Sequence, residues 1–134
     1  MLDNELQTLL SRDEPGFVSL CLLDSELVAH LEAETATVHI YRSCIDKIIG
    51  KHRISYEEIS IIQMSIERGI AICDKEMHIT FFYKHSSHQY FKTSIKVTTS
   101  LDEVVVCTFH KLRMEEFERK IRRLKDKPLL RPHK

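Results

Sequence analysis

The second half of the chain alternates apolar and polar residues with a period of two, which is the pattern of half-buried β-strands. The alternation covers residues 70–72, 77–83, 90–99 and 104–110. Short connections favour antiparallel neighbours, so the sequence predicts an antiparallel meander of about four strands. The last segment is apolar at both its odd and its even positions, which predicts a strand in the interior of the sheet.

The first half of the chain mixes helical and strand signals. Residues 2–11 place leucines on one side of a short helix, and residues 44–49 predict another helix that ends at Gly50. Residues 35–41 alternate and are rich in β-branched residues, which predicts a strand. The apolar segment 17–31 fits a strand or a helix equally well.

Two further helices complete the predicted architecture. Ser55 and Glu58 have the spacing of a capping box, so a helix begins there, and Gly69 ends it. A charged helix over 114–125 closes the chain before a basic tail. We therefore expect one α+β domain over 1–134, with N-terminal helices packed on the antiparallel meander and a C-terminal helix behind it.

Charge is divided unevenly along the chain, although the formal net charge is zero. Residues 1–50 hold nine acidic and three basic residues, a net charge of −6, so the remainder carries +6, mostly after residue 108. The basic half can face a polyanion, or the two halves can neutralise each other across the fold. Apolar residues make up 43% of the chain, which excludes a disordered protein.

Neither a membrane span nor a signal peptide is predicted. No segment approaches the length of apolar chain that a span needs, and the first ten residues are acidic rather than basic. The four cysteines have spacings that match no zinc or redox motif, and their apolar neighbours predict buried thiols; they are Cys21, Cys44, Cys73 and Cys107. We expect a cytoplasmic protein with reduced cysteines.

The predicted strand over 90–98 carries the first candidate site. Its odd positions are mostly apolar and predict a core face, whereas its even positions form a row of two lysines and three hydroxyls: Tyr90, Lys92, Ser94, Lys96 and Thr98. Ammonium groups and hydroxyls together can hold a phosphate. The same alternation also fits an ordinary solvated sheet face.

The elbow between two predicted helices carries the second candidate. His52 lies there between Lys51 and Arg53. Imidazole titrates near neutrality and suits acid–base catalysis, and the flanking cations would attract an anion. A surface histidine in a basic turn is the alternative.

Other signals are weaker. The pair His85 and His88 has no third metal ligand nearby, and the basic stretch 119–127 fits a phosphate-binding helix or a solvated one. The chain has no glycine-rich phosphate loop, no nucleophile elbow and no zinc-protease motif, which argues against those three classes of enzyme.

The order of these elements resembles the fold of the barnase, EndoU, colicin D and RelE nucleases, especially its small phage-encoded and toxin-type members. The matching pieces are the elbow Gly50-Lys51-His52, the strand over 90–97 and the strand over 104–109. The resemblance covers a nuclease-like core over 36–112. It leaves an acidic N-terminal segment, 1–35, and a basic helix and tail, 113–134.

The resemblance implies a metal-independent endoribonuclease without a cofactor. It would place three catalytic residues around the scissile phosphate: His52, Lys96 (or Lys92) and Thr108. The implied substrate-binding residues are Lys51, Arg53, Tyr90, Lys92, Thr98 and His110. RNA is the expected partner, with tRNA as one candidate, and a cognate inhibitor protein or a second copy of the chain is a further one.

Two other classes of function remain open on the sequence alone. The same face and the basic terminal helix could form a non-catalytic module that binds nucleic acid or protein. A homodimer that pairs sheet edges or terminal helices is the third alternative. The N-terminal segment is acidic, whereas a ribonuclease of this type would be basic throughout. An attached inhibitor segment would explain the difference, and so would a lineage that has lost catalysis.

Overall fold

The computed structural model describes residues 16–52, 54–73, 76–123 and 129–132, with the backbone alone for His52 and Tyr56. The helix predicted over 2–11 and Arg53 lie outside the described residues. In chain order the elements are β1 (Phe17–Leu22), α1 (Ser25–Leu31), β2 (Thr37–Tyr41), α2 (Arg42–His52), a 3₁₀ turn (Tyr56–Ile59), α3 (Ser60–Arg68), β3 (Ile70–Ile72), β4 (His78–Ser86), β5 (Gln89–Val97), β6 (Val104–Leu112), α4 (Met114–Arg123) and β7 (Leu129–Arg131).

Within the described residues, seven strands form one mixed sheet in the order β1-β2-β6-β5-β4-β3-β7. Strands β2 and β6 run parallel, with Val38 opposite Val104 and His39 opposite Val105, and every other neighbouring pair is antiparallel. The stretch from β3 to β6 is the expected antiparallel meander, and β6 lies inside the sheet as predicted.

The predicted fold was wrong about the sheet as a whole. The protein is α+β, but its described part holds a seven-stranded mixed sheet and four α-helices rather than N-terminal helices on a four-stranded meander. The apolar segment 17–31 accounts for much of the difference, because it divides at Asp24 into strand β1 and helix α1. Two strands therefore precede the first long helix.

The predicted end of the helix at Gly50 was also wrong, since α2 continues through this residue to His52. Gly50 is exposed, and a side chain there would meet no atom within 4 Å. A glycine in an exposed helix costs about 1 kcal/mol relative to alanine, which weakens a helix without ending it. Packing of Ile45 and Ile48 in the core holds α2 in place.

The capping box and the end of the next helix are confirmed. The Glu58 carboxylate accepts the Ser55 backbone N–H at 3.0 Å, and this turn leads into α3. Helix α3 ends at Gly69, whose added Cβ would lie 2.5 Å from the Ser65 carbonyl oxygen and 3.1 Å from that of Phe82. Only glycine allows the chain to pass this close and enter β3.

One face of the sheet packs on helices α1, α2 and α3 and forms the main core. The odd residues of β5 confirm the predicted core face: Phe91, Thr93, Ile95 and Val97 are all buried. The Thr93 hydroxyl donates to Ser65 Oγ at 2.8 Å, so the one polar residue of this row has a partner on α3. We call this side the core face.

The opposite face is covered at one end only, among the residues that the structure describes. Phe117 and Ile121 of α4 pack against a small cluster of Ile72, Phe82, Tyr90 and Leu112. The part from β1 to the far end of β5 carries no described helix. We call it the open face, and its central side chains are His39, Tyr41, Ser94, Lys96, Val105 and Thr108.

Candidate active site on the open face

The open face gathers several of the residues predicted from the sequence. On β5, Lys92, Ser94 and Lys96 alternate with the buried residues and therefore point away from the core. On β6, Thr108 lies opposite Ser94 and His110 lies opposite Lys92. Strand pairing thus brings Lys96, Ser94 and Thr108 onto one surface, as the predicted phosphate-binding row requires.

Two predicted residues use their hydroxyls in hydrogen bonds within the protein. Tyr90 is buried under α4, where its ring packs 4.8 Å from the ring of Phe117 and its hydroxyl donates to the Ser87 carbonyl at 3.2 Å. Thr98 follows the end of β5, and its hydroxyl donates to Asp102 at 3.0 Å. Both residues therefore have partners within the protein, and their contact with substrate stays a prediction.

The elbow is not placed beside these strand residues. Helix α2 packs on the core face through Ile45 and Ile48, so Lys51 is exposed at the end of a helix on the side away from Lys96. The His52 side chain lies outside what the structure describes, and its catalytic role stays a prediction. The described atoms do not join the elbow and the open face into one site.

A group that the sequence reasoning missed occupies the open face instead. The Glu103 carboxylate lies 3.2 Å from Nδ1 of His39 and accepts the Tyr41 hydroxyl at the same oxygen. His39 and Tyr41 are two residues apart on β2, so they share one face. The alternation of Thr37, His39 and Tyr41 with buried Val38 and Ile40 was the available signal.

The loop before β6 fixes the position of Glu103. The Thr98 backbone N–H donates to the Glu103 carbonyl at 2.9 Å, and the Ser100 hydroxyl donates to Asp102 at 2.6 Å. The Glu34 backbone N–H donates to the Leu101 carbonyl at 2.7 Å, which ties the loop to the segment after α1. Glu103 therefore faces β2 from an anchored turn.

Electrostatics favour an ionised carboxylate in this group. The hydrogen bond from the Tyr41 hydroxyl, followed by that from His39, lowers the pKa of Glu103, and the same bond raises the pKa of Tyr41. An ionised carboxylate can only accept, so the Nδ1 atom of His39 carries the proton that it donates. In the neutral imidazole with this tautomer, the other nitrogen, Nε2, is an acceptor that can take a proton from a substrate.

Lys96 lies across one strand from His39. Val105 of β6 pairs with both residues, so two strand spacings separate them, about 10 Å between their Cα atoms. Both side chains stand on the open face, and Lys96 is exposed. The two side chains therefore stand on either side of Val105, and the Ser94 and Thr108 hydroxyls lie in the next row of the sheet.

Neither Cys21 nor Cys44 supplies an alternative nucleophile. All four are free thiols, and burial raises the pKa of Cys21 to about 12 and that of Cys44 to about 11. Such thiols stay protonated at neutral pH.

His85 and His88, the pair considered as metal ligands, lie at the hairpin after β4. His85 contacts the Tyr83 hydroxyl at 3.4 Å, and His88 is exposed.

The chain matches no protein family model, no curated protein and no solved structure. None of the helices in the described ranges is both long and apolar enough to cross a membrane. The interpretation of function therefore rests on the geometry of the open face.

Proposed function

We propose that this protein is a metal-independent endoribonuclease whose active site is the open face, with His39 as the general base. RNA carries its own nucleophile, the 2′-hydroxyl, so the protein needs only to move protons and stabilise charge on the phosphate. The observation that carries the proposal is the contact of the Glu103 carboxylate with Nδ1 of His39, one strand away from Lys96.

His39 would start the reaction. Its Nε2 atom takes the proton of the 2′-hydroxyl, while the O2′ atom forms a bond to the phosphorus. Glu103 holds the imidazole in the tautomer that this step requires and stabilises the imidazolium that results, as the carboxylate does in a serine-hydrolase triad. Tyr41 shares the carboxylate and fixes its orientation.

Lys96 would complete the reaction from the other side of the phosphate. Its ammonium group stabilises the negative charge that develops on the phosphorane oxygens, and it donates a proton to the leaving 5′-oxygen as the P–O5′ bond breaks. The products are a 2′,3′-cyclic phosphate and a free 5′-hydroxyl. The hydroxyls of Thr108 and Ser94 would orient the phosphate through hydrogen bonds.

The first test is cleavage of RNA by the purified full chain in excess EDTA. We expect discrete fragments that end in cyclic phosphate. His39→Ala should lower the single-turnover rate by at least about 10²-fold, the typical effect of one acid–base group, and Lys96→Ala by a comparable factor. Glu103→Gln keeps an acceptor oxygen but removes the charge, so it should also slow the reaction and change its pH profile.

Two control variants test whether cleavage depends on His39 rather than on another histidine. His30 is exposed on α1, and His30→Ala should cleave at the wild-type rate. His52→Ala tests the elbow predicted from the sequence. If His52→Ala is inactive while His39→Ala is fully active, the active site lies at the elbow and His39 is not the general base. If the wild type binds RNA without cleaving it, the non-catalytic binding module is the better description.

A further inference from the structure

Phe17 is a large apolar residue that lies beside the polar group on the open face. It begins the edge strand β1, opposite Tyr41, and its side chain points to the open face where Ser19 faces His39. The residue is 50% exposed. Because burying a Phe side chain stabilises a fold by roughly 1.5–3 kcal/mol, a ring left half in water beside a polar cluster suggests a functional role.

The ring contacts of Phe17 within the described part of the chain are both with residues of β2. The Phe17 ring stacks on the imidazole of His39, with centroids 4.4 Å apart and planes 29° apart. It is tilted against the ring of Tyr41 at 5.4 Å and 49°. One face of the ring is therefore covered by the proposed base, which among the described residues leaves the opposite face and the edge to account for the exposed fraction.

We infer that Phe17 is a stacking platform for the nucleobase on the 5′ side of the scissile phosphate, so that the substrate is single-stranded RNA. The inference rests on the proposed function. The base is attached to C1′ of the ribose, and the hydroxyl that His39 would deprotonate is on the neighbouring C2′. A nucleotide whose 2′-hydroxyl reaches His39 therefore carries its base next to the ring that already stacks on His39.

The chemistry of stacking sets the substrate class. Every nucleobase has a π-face, so an aromatic ring binds bases with little regard to sequence. The base must first leave its neighbours, which is easy in loops and single strands and costly in an A-form duplex. A duplex also hides its bases from an edge strand, whereas Lys96 would still attract its phosphates. The site should thus prefer single-stranded RNA over duplex RNA and discriminate little between base sequences.

The test uses ligands that cannot be cleaved, so that stacking is measured apart from catalysis. A fluorescent 2′-deoxy octanucleotide lacks the nucleophilic hydroxyl, and the same backbone without bases lacks the stacking partners. The wild-type full chain should bind the octanucleotide about tenfold or more tightly than the abasic strand, given the usual effect of one stacked base. Phe17→Ala should remove this preference and leave the affinity for the abasic strand unchanged.

Matched variants distinguish stacking from general disruption of β1. Leu22 is on the same strand and is 71% exposed, and Leu22→Ala should keep the preference for bases. Phe17→Trp should restore it. If Phe17→Ala retains the wild-type preference, the stacking platform is excluded even if RNA is cleaved in EDTA. If the preference depends on Phe17 but the wild type does not cleave RNA, the proposed catalysis fails while base stacking stands.

Discussion

Arg131 of the short C-terminal strand β7 should be one of the residues on which stability depends most. Its side chain is only 9% exposed and lies between the end of α3 and the start of α1. Nη1 donates to Asp24 at 2.8 Å, and Nη2 donates to the carbonyls of Ile66 and Gly69 at 2.6 and 2.9 Å. These carbonyls belong to the end of α3, where a helix has oxygens without partners in its own ladder.

The size of the effect follows from these contacts. Removing one partner of a buried ion pair typically costs about 3–5 kcal/mol, because the other partner is left uncompensated. Two features place the expected loss for Arg131→Ala at the lower end of this range. The Asp24 side chain is 32% exposed and can be rehydrated, and Nε of Arg131 is buried without a partner among the described atoms. We expect a loss of about 3 kcal/mol, or about 10 °C in Tm for a chain of this length.

Equilibrium unfolding in urea, followed by circular dichroism, measures this loss directly. Arg131→Lys keeps the charge, but its three N–H donors lie on one nitrogen, whereas Arg131 reaches Asp24 and the two carbonyls with two separate nitrogens, so the loss should be intermediate. Arg122 is exposed on α4 and provides the matched control, with an expected change below about 0.5 kcal/mol. A loss below about 1 kcal/mol for Arg131→Ala would show that the buried guanidinium does not hold β7 to the helices.

The local part of the fold could be predicted because its signals are local. The hairpins from β3 to β6 have short connections, and the apolar residues at odd positions, such as Phe91 and Ile95, indicated which face of β5 is buried. The capping box at Ser55 and the stop at Gly69 each depend on a few neighbouring residues. Tertiary contacts did not override these preferences.

The remainder depends on pairings between distant parts of the chain. The parallel pairing of β2 with β6 joins residues more than 60 positions apart, and no periodicity within either segment shows which strand will be its neighbour. The same pairing brings Glu103 to His39, so the candidate site could not be assembled from the sequence. Arg131 counted as part of a basic tail in the sequence, yet tertiary contacts with Asp24 bury it.

Two further predictions concern stability. Gly69→Ala should lower the free energy of unfolding in urea by about 1–3 kcal/mol, because the new Cβ would lie 2.5 Å from the Ser65 carbonyl oxygen. Gly50 is exposed on α2, so Gly50→Ala should be neutral or stabilising. Equal effects of the two changes would contradict the argument from close approach. The second prediction concerns acid. The hydrogen bond from Tyr41 lowers the pKa of Glu103 in the folded protein. The Glu103 carboxylate therefore contributes fully to the free energy of unfolding above the ordinary pKa of a glutamate, about 4.3, and this contribution is lost as the pH falls through the lower pKa of the folded state. The difference in unfolding free energy between the wild type and Glu103→Gln should therefore shrink between pH 6 and pH 3, and a difference that grows on acidification would show that the carboxylate is not held in its charged form.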